Sequence, residues 1–561
     1  MQEHSEPEHL TPRQLSPLHR KRVLLVDDQR SFQVMMKAML QNLGFSQVTI
    51  LATAEEARRR CAREMFDIYL LDYNLGSGQN GRQLLEFLRQ QQLMPAESTV
   101  FIISGDNSRA MVLSALESEP DGYMMKPFSQ EQLRVRLLRA MHRKAELAPV
   151  YAALQEMRHR DVIEACRSLI DEGSRYTTFC RCMMAEMYIH LDELIEVRAL
   201  LRSGLAEAES AWLRLGLGKV CYRLGEFEDA IAHLNSALRL RPLMVEAYRW
   251  LSQALVATGA HQEAVDTLSR ATEISPQSAV LQRHLAEVAL QQGDYLHARD
   301  AISTMLDLHR YDAGRTAQLL GSYVHTLILY ALHSDDPYHL SKLQRQVNNA
   351  LYRCRGLLGD CEFDLRTFEQ ICQARVQIAH GEMNRAKRML YKALQTCQQN
   401  IDGPAPSLAS NLLLGFTQLG EYEYVVQLQD QLGALLDQDP LLKVCVQTMQ
   451  TDSTLLERQQ RYNELNDQGI AAYRNGHYLE AVGFFREALH KAPANTNAAL
   501  NKAQCLMLLH QSKAKDKDKD KNSNELLDEC RDTLSLLDGV QLSPAQAERL
   551  YKLQDDLQAQ R

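Results

Sequence analysis

From Val23 onward, short apolar runs alternate with stretches whose apolar residues recur every three or four positions. The runs are Val23–Val26, Val48–Leu51, Ile68–Leu71, Val100–Ile103 and Tyr123–Met125, and the periodic stretches fall at 31–43, 54–64, 81–92, 108–118 and 129–143. A short continuous apolar run suits a strand buried on both faces, whereas the longer periodicity suits an amphipathic helix. Five strands alternating with five helices predict a doubly wound α/β domain with a five-stranded parallel sheet over residues 21–143.

After about Ala145 the strand signals stop, and helical periodicity continues almost to Arg561, which predicts an all-α remainder. Its first clear regularity is a repeat. Gly225, Gly259 and Gly293 stand 34 residues apart, as do Ala230, Ala264 and Ala298, and Pro242 is followed at the same spacing by Pro276. Each unit reads as a helix, a turn holding the Gly, a second helix and a stop. The small residues have a packing reason: Ala230 with Ala237, and Ala264 with Ala271, let the first helix approach closely, and Gly218, Ser252 and Ala286 do the same from the other side.

Three good copies cover 211–312, and a fourth covers 462–495 with Gly469, Gly476, Ala481, Ala488 and Pro493 at matching offsets, within a segment 462–512. Looser copies are expected at 150–207 and within 313–460, of which 313–365 carries helical periodicity without the signature. Residues 1–20 are polar with Pro7, Pro12 and Pro17 and read as a flexible tail. The alternating charges of Lys513–Lys521 predict a solvated loop at 513–523, followed by C-terminal helices over 524–561.

Composition narrows the function classes. With 63 basic and 71 acidic residues among 561, the net charge of −8 gives nucleic acid or an anionic membrane no overall attraction. The opening residues Met1–Glu6 lack a secretory pattern and no apolar run reaches the ~18–20 residues of a membrane helix, so a cytoplasmic location is expected. The 12 cysteines are scattered without a Cys-x-x-Cys pair and read as reduced, buried thiols. The histidines form no ligand cluster, and His159 between Arg158 and Arg160 reads as part of a solvated basic patch. Neither a nucleophile elbow nor a P-loop is present, so no enzymatic output is expected.

In a doubly wound sheet, ligands bind beyond the carboxyl ends of the strands. The first strand ends in Asp27-Asp28, the third in Asp72, the fourth in Ser104, and the fifth leads into Lys126-Pro127. Three carboxylates, a hydroxyl and an ammonium are therefore expected on one edge. Close carboxylates raise one another's pKa values, and a hard divalent cation such as Mg2+ relieves this. With it bound, Asp72 can act as an ionised nucleophile toward a phosphoryl group, flanked by Lys126 and Ser104.

Here the segment resembles the receiver domain of two-component response regulators, a flavodoxin-like fold. The resemblance is carried by Val-Leu-Leu-Val-Asp-Asp at 23–28, Leu-Leu-Asp-Tyr-Asn-Leu at 70–75, Ile-Ile-Ser-Gly at 102–105 and Gly-Tyr-Met-Met-Lys-Pro-Phe at 122–128. It implies that Asp72 accepts phosphate from a histidine kinase or phosphotransfer protein. It also implies that Asp27, Asp28 and the Asn74 carbonyl hold Mg2+ with Asp72, and that Ser104 and Lys126 report the phosphoryl group. Tyr123 would be the aromatic switch residue, and Pro127 would follow a cis peptide. Ser104-Gly105 stands where the family often has Thr and then Ala or Gly, a permitted variation. Asn74 and Asp106 would flank the path of hydrolytic water.

The 34-residue helix-turn-helix period resembles the tetratricopeptide repeat, whose inner helices line a concave groove. Groove candidates are Trp212, Leu215, Lys219, Tyr222 and Arg223, then Arg249 and Gln253, then Arg283 and Glu287. Their mixed basic and aromatic character would suit an acidic peptide of an unidentified output protein. The expected function is a phosphorylation-gated adaptor, with homodimerisation through the receiver as one route of control. The competing readings are a phosphate sink, a constitutive scaffold and a DNA-binding regulator.

Overall fold

The computed structural model describes residues 18–559 apart from 77–78, 106–119, 311, 360–362, 400–404, 437–438, 516–521 and 541. The expected helix at 108–118, Asp106, most of the N-terminal tail and the centre of the charged loop lie outside the described residues. The chain divides into two compact units, residues 1–284 and 285–561.

The first unit opens with strands β1 (Arg22–Val26), β2 (Gln47–Leu51), β3 (Ile68–Asp72), β4 (Thr99–Ser104) and β5 (Gly122–Met125). They form one parallel sheet in the order β2-β1-β3-β4-β5. β3 and β4 are buried along their whole length, which is why their sequences are continuous apolar runs and not alternating ones. Successive side chains point to opposite faces and so feed two cores. Leu24, Tyr69, Leu71, Val100 and Ile102 pack under helices α2 (Ala54–Cys61) and α3 (Gly81–Gln90). Val23, Leu25, Leu70, Phe101 and Ile103 pack under α1 (Arg30–Asn42) and α4 (Gln130–Glu146). Helices α3 and α4 each begin with a complete capping box, Asn80 with Gln83 and Ser129 with Gln132, which fixes where each helix leaves the strand end before it.

Beyond α4 the unit is helical. The pairs Ala211–Arg223 with Phe227–Leu240 and Val245–Ala257 with His261–Ile274 are the first two copies of the period. Their turn glycines, Gly225 and Gly259, have φ of +79° and +80°, a region closed to most L-residues. Ala230, Ala237, Ala264 and Ala271 are fully buried, and a Cβ on Gly218 would lie 2.5 Å from Leu234, so the small residues set the helix separation as expected.

In the second unit, the stretch 313–365 holds two long helices, Ala313–His333 and Pro337–Leu358. Helix Pro406–Leu419 is buried on nearly every side, from Ser407 through Thr417 and again at Leu419. It is a core element and not the inner wall of an open groove. Helix Thr496–Lys515 and the next helix, beginning at Asn522, run into both ends of the charged segment, so the loop predicted for 513–523 is narrower than its sequence suggested. No described helix is long and apolar enough to cross a membrane.

Candidate functional site

The parallel register brings the strand ends together: Asp72 pairs with Ile103 across β3 and β4, and Ser104 with Met125 across β4 and β5. Residues that follow β1, end β3 and β4 and follow β5 therefore share one edge of the sheet. Asp27, Asp72 and Ser104 are buried there, whereas Asp28 and Asn74 are exposed and Tyr123 is half-buried. The Lys126 ammonium joins them, at 2.6 Å from Asp27 Oδ2 and 2.8 Å from Asp72 Oδ1. It lies 3.9 Å from the centre of the Phe32 ring, an apolar and π-rich wall that steadies the cation. The Lys126–Pro127 peptide is cis.

Other groups fix the carboxylates. Asp27 Oδ1 accepts from the Gln29 amide at 2.8 Å, and the Gln33 side chain donates to the Asp27 carbonyl at 2.5 Å. Burial pushes the Asp72 carboxyl up to about 6; Lys126 opposes this, and the like charges of Asp27 and Asp28 add to it. One ammonium thus stands against three carboxylates, a surplus of negative charge made of hard oxygen donors. That chemistry fits a divalent cation such as Mg2+. Among the described residues no three His, Cys, Asp or Glu side chains stand together as a ready metal cluster, and Lys126 bridges Asp27 and Asp72.

Two residues at this edge escaped the sequence reading. A Cβ on Gly81 would stand 2.1 Å from the Asp72 carbonyl oxygen, and the Gly81 amide donates to the Tyr73 carbonyl at 2.9 Å. Only glycine lets α3 start against the end of β3. Its signal was a lone glycine after the Asn80 cap, which spacing cannot separate from an ordinary helix start. Tyr73, next to Asp72, is 2 % exposed and packs in the core of Leu84, Leu85 and Leu88.

The groove candidates fare differently. Trp212 is 45 % exposed, with the Arg241 guanidinium 5.7 Å from its ring centre. Leu215 and Lys219 are buried, which corrects their reading as groove-lining residues. Lys219 sits between Glu186 at 2.5 Å and Glu246 at 2.6 Å. Burial works against its charge, but Glu246 and Glu186 outweigh it and hold the ammonium above the usual lysine range. Arg223 pairs with Asp192 at 3.2 Å, Arg249 with Glu246 at 3.6 Å, and Tyr222 packs edge-on against Trp250. Arg283 is half-buried. Lys219 thus ties two other helices to its own, Arg249 pairs within its own helix, and Trp212 and Arg223 are the exposed candidates. His159, read as part of a solvated patch, stacks on His190 with ring centres 5.4 Å apart.

The second unit holds a cavity of about 640 Å3 whose walls include Tyr295, His325, His333, Gln418, Asp452 and Arg458. Behind it Arg375 is fully buried. Its guanidinium donates to Asn411 Oδ1 at 2.5 Å and to His325 Nδ1 at 2.7 Å, and burial lowers its pKa to about 10. Burial, followed by the Arg375 charge, holds His325 well below the usual histidine range.

Comparison with known proteins bears on both parts. Residues 23–138 match the response regulator receiver domain, and residues 215–279 and 466–514 match the tetratricopeptide repeat. The alkaline phosphatase synthesis transcriptional regulatory protein PhoP of Bacillus subtilis is 28% identical over 158 residues, which are 28% of this chain and 63% of that protein. The alginate biosynthesis transcriptional regulatory protein AlgB of Pseudomonas aeruginosa is 27% identical over 139 residues, 25% of this chain and 30% of that protein. The chain thus spans less than two thirds of the length of these curated relatives. Among solved structures, a CheY-like receiver domain protein from Methanospirillum hungatei is 26% identical, covering 22% of this chain and 97% of that one with a TM-score of 0.21. The receiver domain of the Francisella response regulator 1452 is also 26% identical, covering 22% and 98% with a TM-score of 0.20.

Proposed function

We propose that this chain, which joins a response-regulator receiver domain to tetratricopeptide repeats, takes a phosphoryl group on Asp72 and thereby controls protein binding by the repeats. The observation that carries the reading is Lys126, whose ammonium binds both buried carboxylates at the strand ends. A cation in that place neutralises charge on a transferring phosphoryl group, and charge neutralisation with positioning is most of what such transfer needs.

The donor is a phosphohistidine of a histidine kinase or phosphotransfer protein. An Asp72 carboxylate oxygen attacks phosphorus, an acyl-phosphate O–P bond forms, and the P–N bond breaks with its electron pair returning to the imidazole. Lys126 follows the phosphoryl oxygens and the Ser104 hydroxyl donates to another. Asp27, Asp28, Asp72 and the Asn74 carbonyl would hold Mg2+, which when bound offsets the negative charge of the phosphoryl oxygens. Arg136 donates to the Tyr123 carbonyl at 2.7 Å, so a move of Ser104 that draws in Tyr123 reaches α4 directly. Pro127, beside the lysine, lies on the same path. The change is a population shift between two states, and a tenfold shift takes about 1.4 kcal/mol of differential interaction.

On this reading the protein is a cytoplasmic signalling adaptor whose only chemistry is its own phosphorylation and dephosphorylation. The test uses tagged full-length protein, wild type and Asp72→Ala, with and without an acyl-phosphate donor and Mg2+. Intact mass should report one added phosphoryl on wild type and none on the variant. The set of co-purifying proteins, identified by mass spectrometry, should change on treatment for wild type alone. An unmodified wild type, or a variant that responds equally, overturns the reading.

A further inference from the structure

The residue that follows the acceptor reaches the repeats. The Tyr73 hydroxyl donates to Gln277 Oε1 at 3.0 Å, across 204 residues of sequence, and both residues lie in the first unit. Gln277 belongs to the turn between helices His261–Ile274 and Ala279–Gln292. The repeat itself supplies a control for what is unusual about this turn. One period earlier the same four places read Arg241-Pro242-Leu243-Met244, and Arg241, Pro242 and Leu243 are exposed, Leu243 by 38 %. In the later turn the residues are Ser275-Pro276-Gln277-Ser278, Ser275 and Ser278 are 0 % exposed, and Gln277 is half-buried. A polar glutamine thus stands where the preceding copy carries an exposed leucine, and it meets a phenol from the receiver.

The other end of the contact is tied to the acceptor. Tyr73 donates its amide to the Ile103 carbonyl at 2.7 Å and accepts from the Gly81 amide at 2.9 Å. Its ring is wedged in the core under α3. The ring cannot swing freely, so its hydroxyl moves with the backbone it shares with Asp72. Phosphorylation replaces the single carboxylate charge of Asp72, which pairs with Lys126, by an acyl phosphate carrying roughly −2 and three acceptor oxygens. A hydrogen bond of 3.0 Å is lost once its atoms part by about half an ångström, so a small shift of the strand end suffices.

We infer that the Ser275–Ser278 turn is the docking surface for the receiver, that Tyr73–Gln277 is its polar latch, and that phosphoryl transfer to Asp72 opens it. The opening step rests on the reading of Asp72 as the acceptor; the docking contact does not. The experiment measures hydrogen–deuterium exchange of the backbone over residues 272–281 in full-length wild type, Tyr73→Phe and Gln277→Leu. Tyr73→Phe removes one oxygen and keeps the buried ring, and Gln277→Leu installs the residue of the preceding repeat. Without a donor, both variants should exchange roughly fivefold faster than wild type over this stretch, the range expected for one lost hydrogen bond. Acyl phosphate should raise wild type to the level of the variants and leave the variants unchanged.

Equal exchange in Tyr73→Phe and wild type overturns the latch. Wild type that gains a phosphoryl group by mass while residues 272–281 keep their protection overturns the opening step and leaves the acceptor reading intact. Wild type that gains no phosphoryl group overturns the acceptor reading and the opening step together, while the variants without donor still decide the contact.

Discussion

Two largely enclosed ammonium groups solve different problems in this protein. In the second unit, Lys387 is 1 % exposed and meets one carboxylate, Glu421, at 2.8 Å and one carbonyl, that of Ala494, at 2.5 Å. Glu421 is completed by Thr496, whose hydroxyl and amide donate to the same oxygen at 2.7 and 3.1 Å. Charges there match one to one, and the remaining hydrogen-bonding capacity goes to groups 75 to 107 residues distant in sequence, which ties separate repeats together. At the receiver edge, Lys126 serves two buried carboxylates and a third stands beside them, leaving Asp72 pushed up to about 6. The hub is electrostatically closed, whereas the receiver edge keeps a surplus of negative charge, which suits the proposed arrival of a phosphoryl group with its cation. The difference separates a matched ion pair from a cluster whose like charges work against one of its own carboxylates.

The largest expected effect tests the closed side. Lys387→Met leaves Glu421 buried and uncompensated and should lower unfolding stability by about 3–5 kcal/mol, measured by denaturant titration of the second unit's transition. Adding Glu421→Leu should return most of that loss, since a matched apolar pair replaces a matched charged pair; a double variant as unstable as the single one would break the comparison. Next comes the support of the open side. Gly81→Ala forces a Cβ against the Asp72 carbonyl and should slow phosphoryl uptake from a small donor on the order of 10²-fold, the scale of a misplaced reacting group, with circular dichroism unchanged. The smallest effect has the opposite sign to the first. Asp72→Asn removes a buried negative charge that its neighbours disfavour and should raise the receiver's stability on the order of 1–2 kcal/mol at neutral pH without metal. A loss of stability there would mean that the site is as closed as the hub.

The same contrast explains what could be read from the chain. The receiver site was legible because a parallel sheet turns sequence position into spatial position: once the apolar runs mark the strands, Asp27, Asp72, Ser104 and Lys126 must share an edge. The repeat period was legible for a related reason, since glycines and alanines at fixed spacing obey a local packing rule. The groove was not. Lys219 looks solvated on its own helix, and its partners Glu186 and Glu246 come from neighbouring helices, one on each side. Tyr73 with Gln277 joins a receiver residue to a repeat turn, which no periodicity relates, and Lys387 and Glu421 stand one 34-residue period apart in a stretch where the repeat signature is weak. Helix Pro406–Leu419 resembled a weak repeat because a helix buried on nearly every side loses the amphipathic stripe that marks the others.

Arg375 gives the second unit an internal reporter. A guanidinium can only donate, so His325 Nδ1, 2.7 Å from it, must accept, and the imidazole proton is fixed on Nε2. Burial and the adjacent charge keep that ring neutral in acid that would protonate an exposed histidine. In a nitrogen-resolved NMR spectrum, His325 would therefore stand apart as a single tautomer indifferent to mild acidification. It would join the titrating histidines only when the helices around it came apart, which makes one ring a gauge of the integrity of the whole unit.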